Sequence, residues 1–392
     1  MKICLVSWAP FYAGAEVAAL RLAVGLREAG HEVVCAVGTD GELLARLREA
    51  GVESHFIPTR FTDKWRWWSY RTSRNGLLRL LRQMQPDIIH SNDLPTHQMA
   101  SDAARRAGVP RVCHHRWIFD QGAIDWFNKY GAERHLFVSR ALMDDLCSKS
   151  QKLAASEREV VYDGLPLPEL PGVGRTSQSG RDGEDGLGSP SYARKELGLN
   201  PDKPLVLFAG QIIERKGVAD VLHAWRELMP RWGQQAELVI VGDDLEGKGA
   251  YRQKMEQLAA ELAVPARFVG FQKNVPTWLT AASLVLVPSH AEPLGNATLE
   301  AMAYARPVIG GNVGGIPEMI VGEQTGLLVP PKSPAELAAA IDRLLADPLL
   351  AARMGAAARQ RCEEMFSLDA HVNAVVRQYE IALSRETAAV PA

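Results

Sequence analysis

The chain alternates short apolar runs with helix-like stretches, breaks off, and then starts the alternation again. The first series is KICLVSW (2–8), HEVVCAV (31–37), VESHFIP (52–58), DIIH (87–90), RVCHH (111–115) and HLFVS (135–139). The second is PLVLFAG (204–210), AELVIVG (236–242), ARFVGF (266–271), SLVLVP (283–288), RPVIGG (306–311) and GLLVPP (326–331). Between the runs, apolar residues recur at helical spacing, as in AGAEVAALRLAVGLREAG (13–30), where Gly30 is a natural stop. Apolar runs linked by helices predict parallel sheets wrapped by helices, because a parallel crossover needs a connection of helix length. The interruption, LPLPELPGVGRTSQSGRDGEDGLGSPS (165–191), is rich in Pro, Gly, Ser and charge and cannot build a core. A length of 392 residues suits two domains. Two doubly wound α/β units joined by a linker are therefore expected. In such sheets ligands sit at the carboxyl ends of the strands, so the chemistry is expected in a cleft between the halves.

Composition narrows the class. Apolar residues make up 47% and charged residues 23%, as in an ordinary soluble protein. A formal net charge of −2 gives no overall pull toward nucleic acid. The five cysteines are scattered, which reads as reduced thiols in a cytosolic protein rather than a disulfide framework or a metal site. No run reaches the roughly 18 apolar residues of a membrane span. The opening MKICLVSWAP reads as a strand, not a signal peptide.

Five stretches carry candidate chemistry. In SHAEPLGNATLEAMA (289–303), Glu292 and Glu300 stand eight residues apart around a helix start, with Gly295 between them. By residue type alone they are an acid/base pair, metal ligands, a helix cap or a clamp for hydroxyls. Backbone amides around Leu294, Gly295 and Asn296 can donate to oxygen, and Gly295 permits close approach. GQIIERKG (210–217) links a strand to a helix and offers Arg215 and Lys216 to an anionic leaving group, against a plain reading as a solvated charge pair. AGAE (13–16) places Gly14 at the first strand–helix turn. CHHRW (113–117) ends another strand, and HSND (90–93) ends a fourth. FTDKWRWWSYRTSR (61–74) is Trp- and Arg-rich; it reads either as a loop and helix edge packed on the domain or as a patch for an acceptor or a membrane surface.

Taken in order and spacing, AGAE, AGQIIERKG, HAEPLGNATLEAMA and VGGIPEMI (313–320) resemble the retaining glycosyltransferases of family 4 over nearly the whole chain, most strongly over 204–345. The resemblance implies the GT-B fold: two Rossmann-like doubly wound parallel-sheet domains facing a central cleft. It implies an N-terminal acceptor-side domain at 1–165, a linker at 166–194 and a nucleotide-sugar-binding domain at 195–366. A C-terminal helix in 367–392 then crosses back to the first domain, followed by a tail.

It also implies roles. Glu292 would hold donor-sugar hydroxyls and Glu300 the ribose hydroxyls. Lys216 and Arg215 would stabilise the departing diphosphate. Gly14, Gln211, Leu294, Gly295 and Asn296 would line the donor. The family often has Gly-Arg where this chain has Gly210-Gln211, and Gly-Gly where it has Ala13-Gly14. A histidine that reaches the donor sugar is usual at the CHHRW strand end. Counted from Pro110 its place falls on Arg116, with His115 one residue earlier, so both are candidates.

The expected activity is retaining transfer of a sugar from a UDP- or GDP-type donor to an acceptor hydroxyl on a glycan or glycolipid. No nucleic acid is expected as a partner, and peripheral contact with the cytoplasmic membrane face is in keeping with the Trp-rich segment. No cofactor is implied and no metal, since Asp-x-Asp is absent; Asp243-Asp244 is the nearest pair. The rival readings are a nucleotide-sugar epimerase of the same fold, a glycoside hydrolase using Glu292 and Glu300, and a non-catalytic nucleotide-sugar-binding protein.

Overall fold

The computed structural model describes residues 1–9, 11–61, 67–170, 189–245 and 247–388. Most of the interrupting stretch (171–188), part of the Trp-rich segment (62–66) and the tail residues 389–392 lie outside the described residues. The chain forms two compact units, Met1–Pro166 with Phe366–Ala392, and Leu167–Met365.

The first unit is built on seven parallel strands: β1 (Lys2–Ser7), β2 (Glu32–Val37), β3 (Glu53–Phe56), β4 (Ile88–Ser91), β5 (Arg111–His115), β6 (Arg134–Phe137) and β7 (Arg158–Val160). Their order across the sheet is β3-β2-β1-β4-β5-β6-β7. The period of two sorts the side chains onto two faces. Ile3, Leu5, Val33, Cys35, Ile88 and Val112 face one core, and Cys4, Val6, Val34, Ala36 and Ile89 face the other. Each core is closed by helices, so the inner strands β2, β1, β4, β5 and β6 are buried on both sides, while β3 at one edge is not. β7, at the other edge, is the strand that the sequence pattern misses. It lies at the sheet edge, pairs only with β6, and exposes Arg158 and Glu159.

The second unit has six parallel strands: β8 (Leu205–Ala209), β9 (Glu237–Val241), β10 (Ala266–Gly270), β11 (Leu284–Val287), β12 (Val308–Gly311) and β13 (Gly326–Val329). Their order is β10-β9-β8-β11-β12-β13. The helices Val218–Trp232 and Pro334–Ala346 pack Val221, Leu222, Trp225, Leu337 and Ile341 onto Val206, Phe208, Leu284 and Ile309.

The last helix, Leu368–Ala388, belongs to the first unit. Val372, Val375, Tyr379 and Ala382 join the core that contains Leu22 and Leu26 of the helix Gly14–Glu28. Gly25 makes room for it: a Cβ there would lie 2.7 Å from Val372 Cγ2. Tyr379 is wholly buried, and its hydroxyl lies 2.6 Å from His90 Nδ1 on β4.

All five cysteines are free. Among the described residues, no helix is long and apolar enough to cross a membrane.

Candidate functional site

In the second unit the direction of strand succession reverses between β8 and β11, which are neighbours. The loops that follow these two strands therefore leave the sheet side by side at its carboxyl edge, the place where doubly wound sheets hold ligands. After β8 the chain makes a 3₁₀ turn, Glu214–Lys216, and enters the helix Val218–Trp232 through Gly217 at φ +74. A Cβ on Gly217 would sit 2.2 Å from Pro288 O, so only glycine lets the two loops touch. The backbone of His290 then donates to Arg215 O at 2.7 Å.

This contact brings the charges together. Lys216 Nζ donates to Glu292 Oε2 at 2.6 Å, and Arg215 Nη1 approaches the same oxygen at 3.3 Å. Ser289 Oγ donates to it at 3.3 Å. The Glu292 side chain is only 9% exposed, which makes these charge-assisted bonds stronger than surface pairs. A third loop supports Glu292 from behind. Gly314, at φ +54, would place a Cβ 1.7 Å from Glu292 O, and Gly315 N donates to that oxygen at 3.3 Å.

The chain then passes Leu294, which is buried, and Gly295, left-handed at φ +103, into the helix Asn296–Ala303. That short helix starts beside Glu292, and Glu300 lies one turn inside it, half-buried. Gln211 follows β8 and is half-buried; its neighbours Gly210 and Ile212 are tied to the end of β9 and the loop after it through Val241 O and Asp243 O, both at 3.0 Å. In that loop Asp244 accepts from the backbone of Gly247 and Tyr251, while Asp243 pairs with Arg252 at 3.1 Å.

Sequence reasoning missed His290 and Asp220. His290 Nε2 lies 2.6 Å from Asp220 Oδ2, pinning the Glu292 loop to the first turn of the helix Val218–Trp232. The signal was available, since His290 stands two residues before Glu292 in the stretch that drew attention to the glutamates.

In the first unit the reversal falls between β1 and β4. Gly14 is exposed at the start of its helix. Residues that follow β4 hold both sides of it: Trp8 N donates to Asp93 Oδ2 at 3.2 Å and Asn92 Nδ2 donates to Ala15 O at 3.1 Å. Glu16 accepts from Ala13 N at 3.0 Å and is buried, which pushes its carboxyl up to about 7.

The structure places His115 and Arg116, the two candidates for a donor-sugar contact, in buried positions within the first unit. His115 has no exposed surface; it bonds to His135 Nδ1 at 2.9 Å and stacks on Phe137. Burial holds its imidazole neutral, with a pKa lowered to about 3. Arg116 is 5% exposed and committed to Asp163, to Asn92 Oδ1 at 3.1 Å and to His114 Nδ1 at 3.1 Å. It ties the end of β5 to the end of β4. Among the described residues, Cys113, His115 and His135 are the group with ligand atoms close enough to hold a metal ion, within 4.8 Å of one another.

Comparison with known proteins agrees with this architecture. Residues 192–361 match the "Glycosyl transferases group 1" family and residues 12–167 match "Glycosyltransferase Family 4". A D-inositol 3-phosphate glycosyltransferase of Frankia alni is 32% identical over 322 residues, covering 78% of this chain and 76% of that protein. The chain belongs to the family 4, group 1 glycosyltransferases. An uncharacterized glycosyltransferase of Methanocaldococcus jannaschii is 27% identical, covering 98% of this chain and 99% of its own. Anabaena HepE, solved in complex with UDP and glucose, superposes with a TM-score of 0.80 at 20% identity, covering 97% of this chain and 99% of that one. Fold and family agree: this is a GT-B glycosyltransferase, an enzyme of the glycosyl-transfer class.

Proposed function

We propose that this glycosyltransferase moves a sugar from a UDP- or GDP-type donor to an acceptor hydroxyl with retained anomeric configuration, in the synthesis of a bacterial glycan, glycolipid or cell-surface polysaccharide. The observation that carries the reading is the ionic cluster at the reversal between β8 and β11. There Lys216 and Arg215 converge on one buried oxygen of Glu292 beside the helix Asn296–Ala303.

In this reading Lys216 and Arg215 stabilise the diphosphate as the anomeric C–O bond breaks. Glu292 accepts from hydroxyls of the sugar, and Glu300 accepts from the ribose. The acceptor oxygen attacks on the face the leaving group departs from, and its proton passes to the departing phosphate oxygen. No side chain in the cluster is left to serve as a covalent nucleophile: Glu292 is held by two cations and Ser289. The two cations carry the leaving-group charge, so the reading asks for no metal. Peripheral contact with the cytoplasmic face of a membrane is supported by the exposed indoles of Trp67 and Trp68. They open a helix, Trp67–Met84, that carries four arginines and no acid.

A thermal-shift screen of nucleotides and nucleotide sugars tests the donor assignment. A ligand at about 100 times its Kd stabilises the folded state by about 2.7 kcal/mol. UDP or GDP and their sugars are expected to raise the melting temperature, and Lys216→Ala to abolish the rise. A flat response to every nucleotide would overturn the reading. NMR of the product anomeric proton checks retention.

A further inference from the structure

Six aromatic side chains gather at the carboxyl edge of the first sheet and are not used by the donor reading. Trp8 follows β1; Phe61 lies in the segment after β3; Trp117 and Phe119 follow β5; Trp126 and Phe127 lie on the short helix Gln121–Phe127. They pack on one another continuously. Trp8 meets Phe61 edge to face at 5.2 Å and Trp117 at 6.5 Å. Phe61 meets Trp126 at 6.0 Å and Phe127 at 5.5 Å. Trp117 and Phe119 lie nearly parallel, 12° apart.

Only Phe127 is buried; Trp8, Phe61, Trp117 and Phe119 are half-buried, and Trp126 is 40% exposed. The backbone beneath is held fixed. Gln98 Nε2 donates to Trp126 O at 2.7 Å and Lys149 Nζ to Phe119 O at 3.1 Å.

The polar groups around these rings decide between occupants. Among the described residues, the indole N–H groups of Trp8, Trp117 and Trp126 have no partner, and those of Trp8 and Trp117 are not sealed from solvent. Asp120 and Asp125, each next in sequence to a cluster ring, are exposed. Each uses one carboxylate oxygen, on Ala123 N and Ser150 Oγ respectively, and leaves the other without a partner among the described residues. Flat apolar faces flanked by unpaired donors and carboxylate acceptors match a pyranose ring, which offers C–H groups on its faces and hydroxyls at its rim. Two exposed carboxylates disfavour an anionic lipid surface at this edge.

We propose that this aromatic shelf binds a pyranose ring of the acceptor. The acceptor role rests on the transfer reading above; the binding of a sugar ring by the shelf does not.

The test uses the full chain without nucleotide and probes it with methyl α-D-glucopyranoside, methyl α-D-mannopyranoside and methyl β-D-galactopyranoside. Saturation-transfer NMR is expected to mark the ring protons of at least one, with quenching of tryptophan emission. Trp126→Ala should weaken that binding about tenfold and Trp126→Phe should restore most of it, since a stacked ring contributes on the order of 1 kcal/mol. An unchanged UDP or GDP thermal shift in Trp126→Ala controls for folding. The proposal fails if no glycoside gives transfer, or if Trp126→Ala together with Trp117→Phe binds as the parent does. It also fails if Trp126, rather than Trp68, governs sedimentation with phosphatidylglycerol vesicles. None of these outcomes bears on nucleotide binding, which the donor screen judges separately.

Discussion

At the scale of single residues, environment decides what a carboxylate does. Glu292 is buried but paired with two cations, which hold it in place as an acceptor. Lys216→Ala removes the closer cation and is expected to lower kcat by about 10²–10³, the usual cost of losing one preorganised charge donor; a loss under about threefold in a transfer assay would remove Lys216 from the mechanism. Glu16 is buried with only backbone donors and a distant Arg116 to answer it, next to Asp93, which is also pushed up by burial. Its pKa rises from 4.5 to about 7 on folding, so the folded state holds the proton more tightly. Its contribution to stability is complete below pH 4.5 and is lost as pH climbs to about 7, at about 1.4 kcal/mol per unit. Glu16→Gln keeps the cap on Ala13 without the charge. Urea unfolding should show the variant equal to the parent near pH 4.5 and more stable by about 3 kcal/mol near pH 8. A difference that does not change with pH would contradict the account. Residue types were legible here, but burial was not: nothing in AGAE says that Glu16 is buried, and nothing in CHHRW says which side of β5 is sealed.

At the scale of elements, loops function because glycines let them touch. Gly217 and Gly314 each stand where a Cβ would strike the Glu292 strap. Gly314→Ala is expected to displace that strap and cut transfer on the order of 100-fold. Gly322→Ala, with nothing within 4 Å of the added carbon, should match the parent. Equal activity in the two variants would deny the strap its role. The last helix is a second such case. It is distant in sequence from the first unit and yet completes its core through Val372, Val375 and Tyr379. A chain ending at 365 should lose cooperative unfolding of the first unit. Tyr379→Phe, which strands His90 Nδ1, should cost about 1–3 kcal/mol by urea titration. A full-strength first unit in the truncated chain would refute this. Strand and helix positions were readable from period and length, and all twelve apolar runs became strands. β7 was not, because an edge strand with a solvated side needs no apolar run.

At the scale of the whole molecule, the two units differ in how they store histidine. His90, His97, His114, His115, His135 and His371 are all buried in the first unit, while His223 and His290 of the second are not. Burial lowers all six, His97 and His371 to about 4 and His115 to about 3. Their folded values lie below the unfolded 6.5, so the stability tied to the neutral rings is intact above pH 6.5 and drains as pH falls toward 4. Hydrogen exchange at about pH 5 should open the first unit well before the second, and equal loss in both would refute the account. The sequence determined the two α/β units, the break between them and the order of the signature loops. It could do so because apolar period, helix stops and loop composition are local properties. Only the tertiary structure decided that β8 and β11 lie side by side, so that Lys216 meets Glu292 across 76 residues of chain. It alone set the aromatic shelf at the ends of separate strands and sealed His115 and Arg116 away from solvent. Strand order and burial are settled by how distant segments share one core, and no local pattern encodes that.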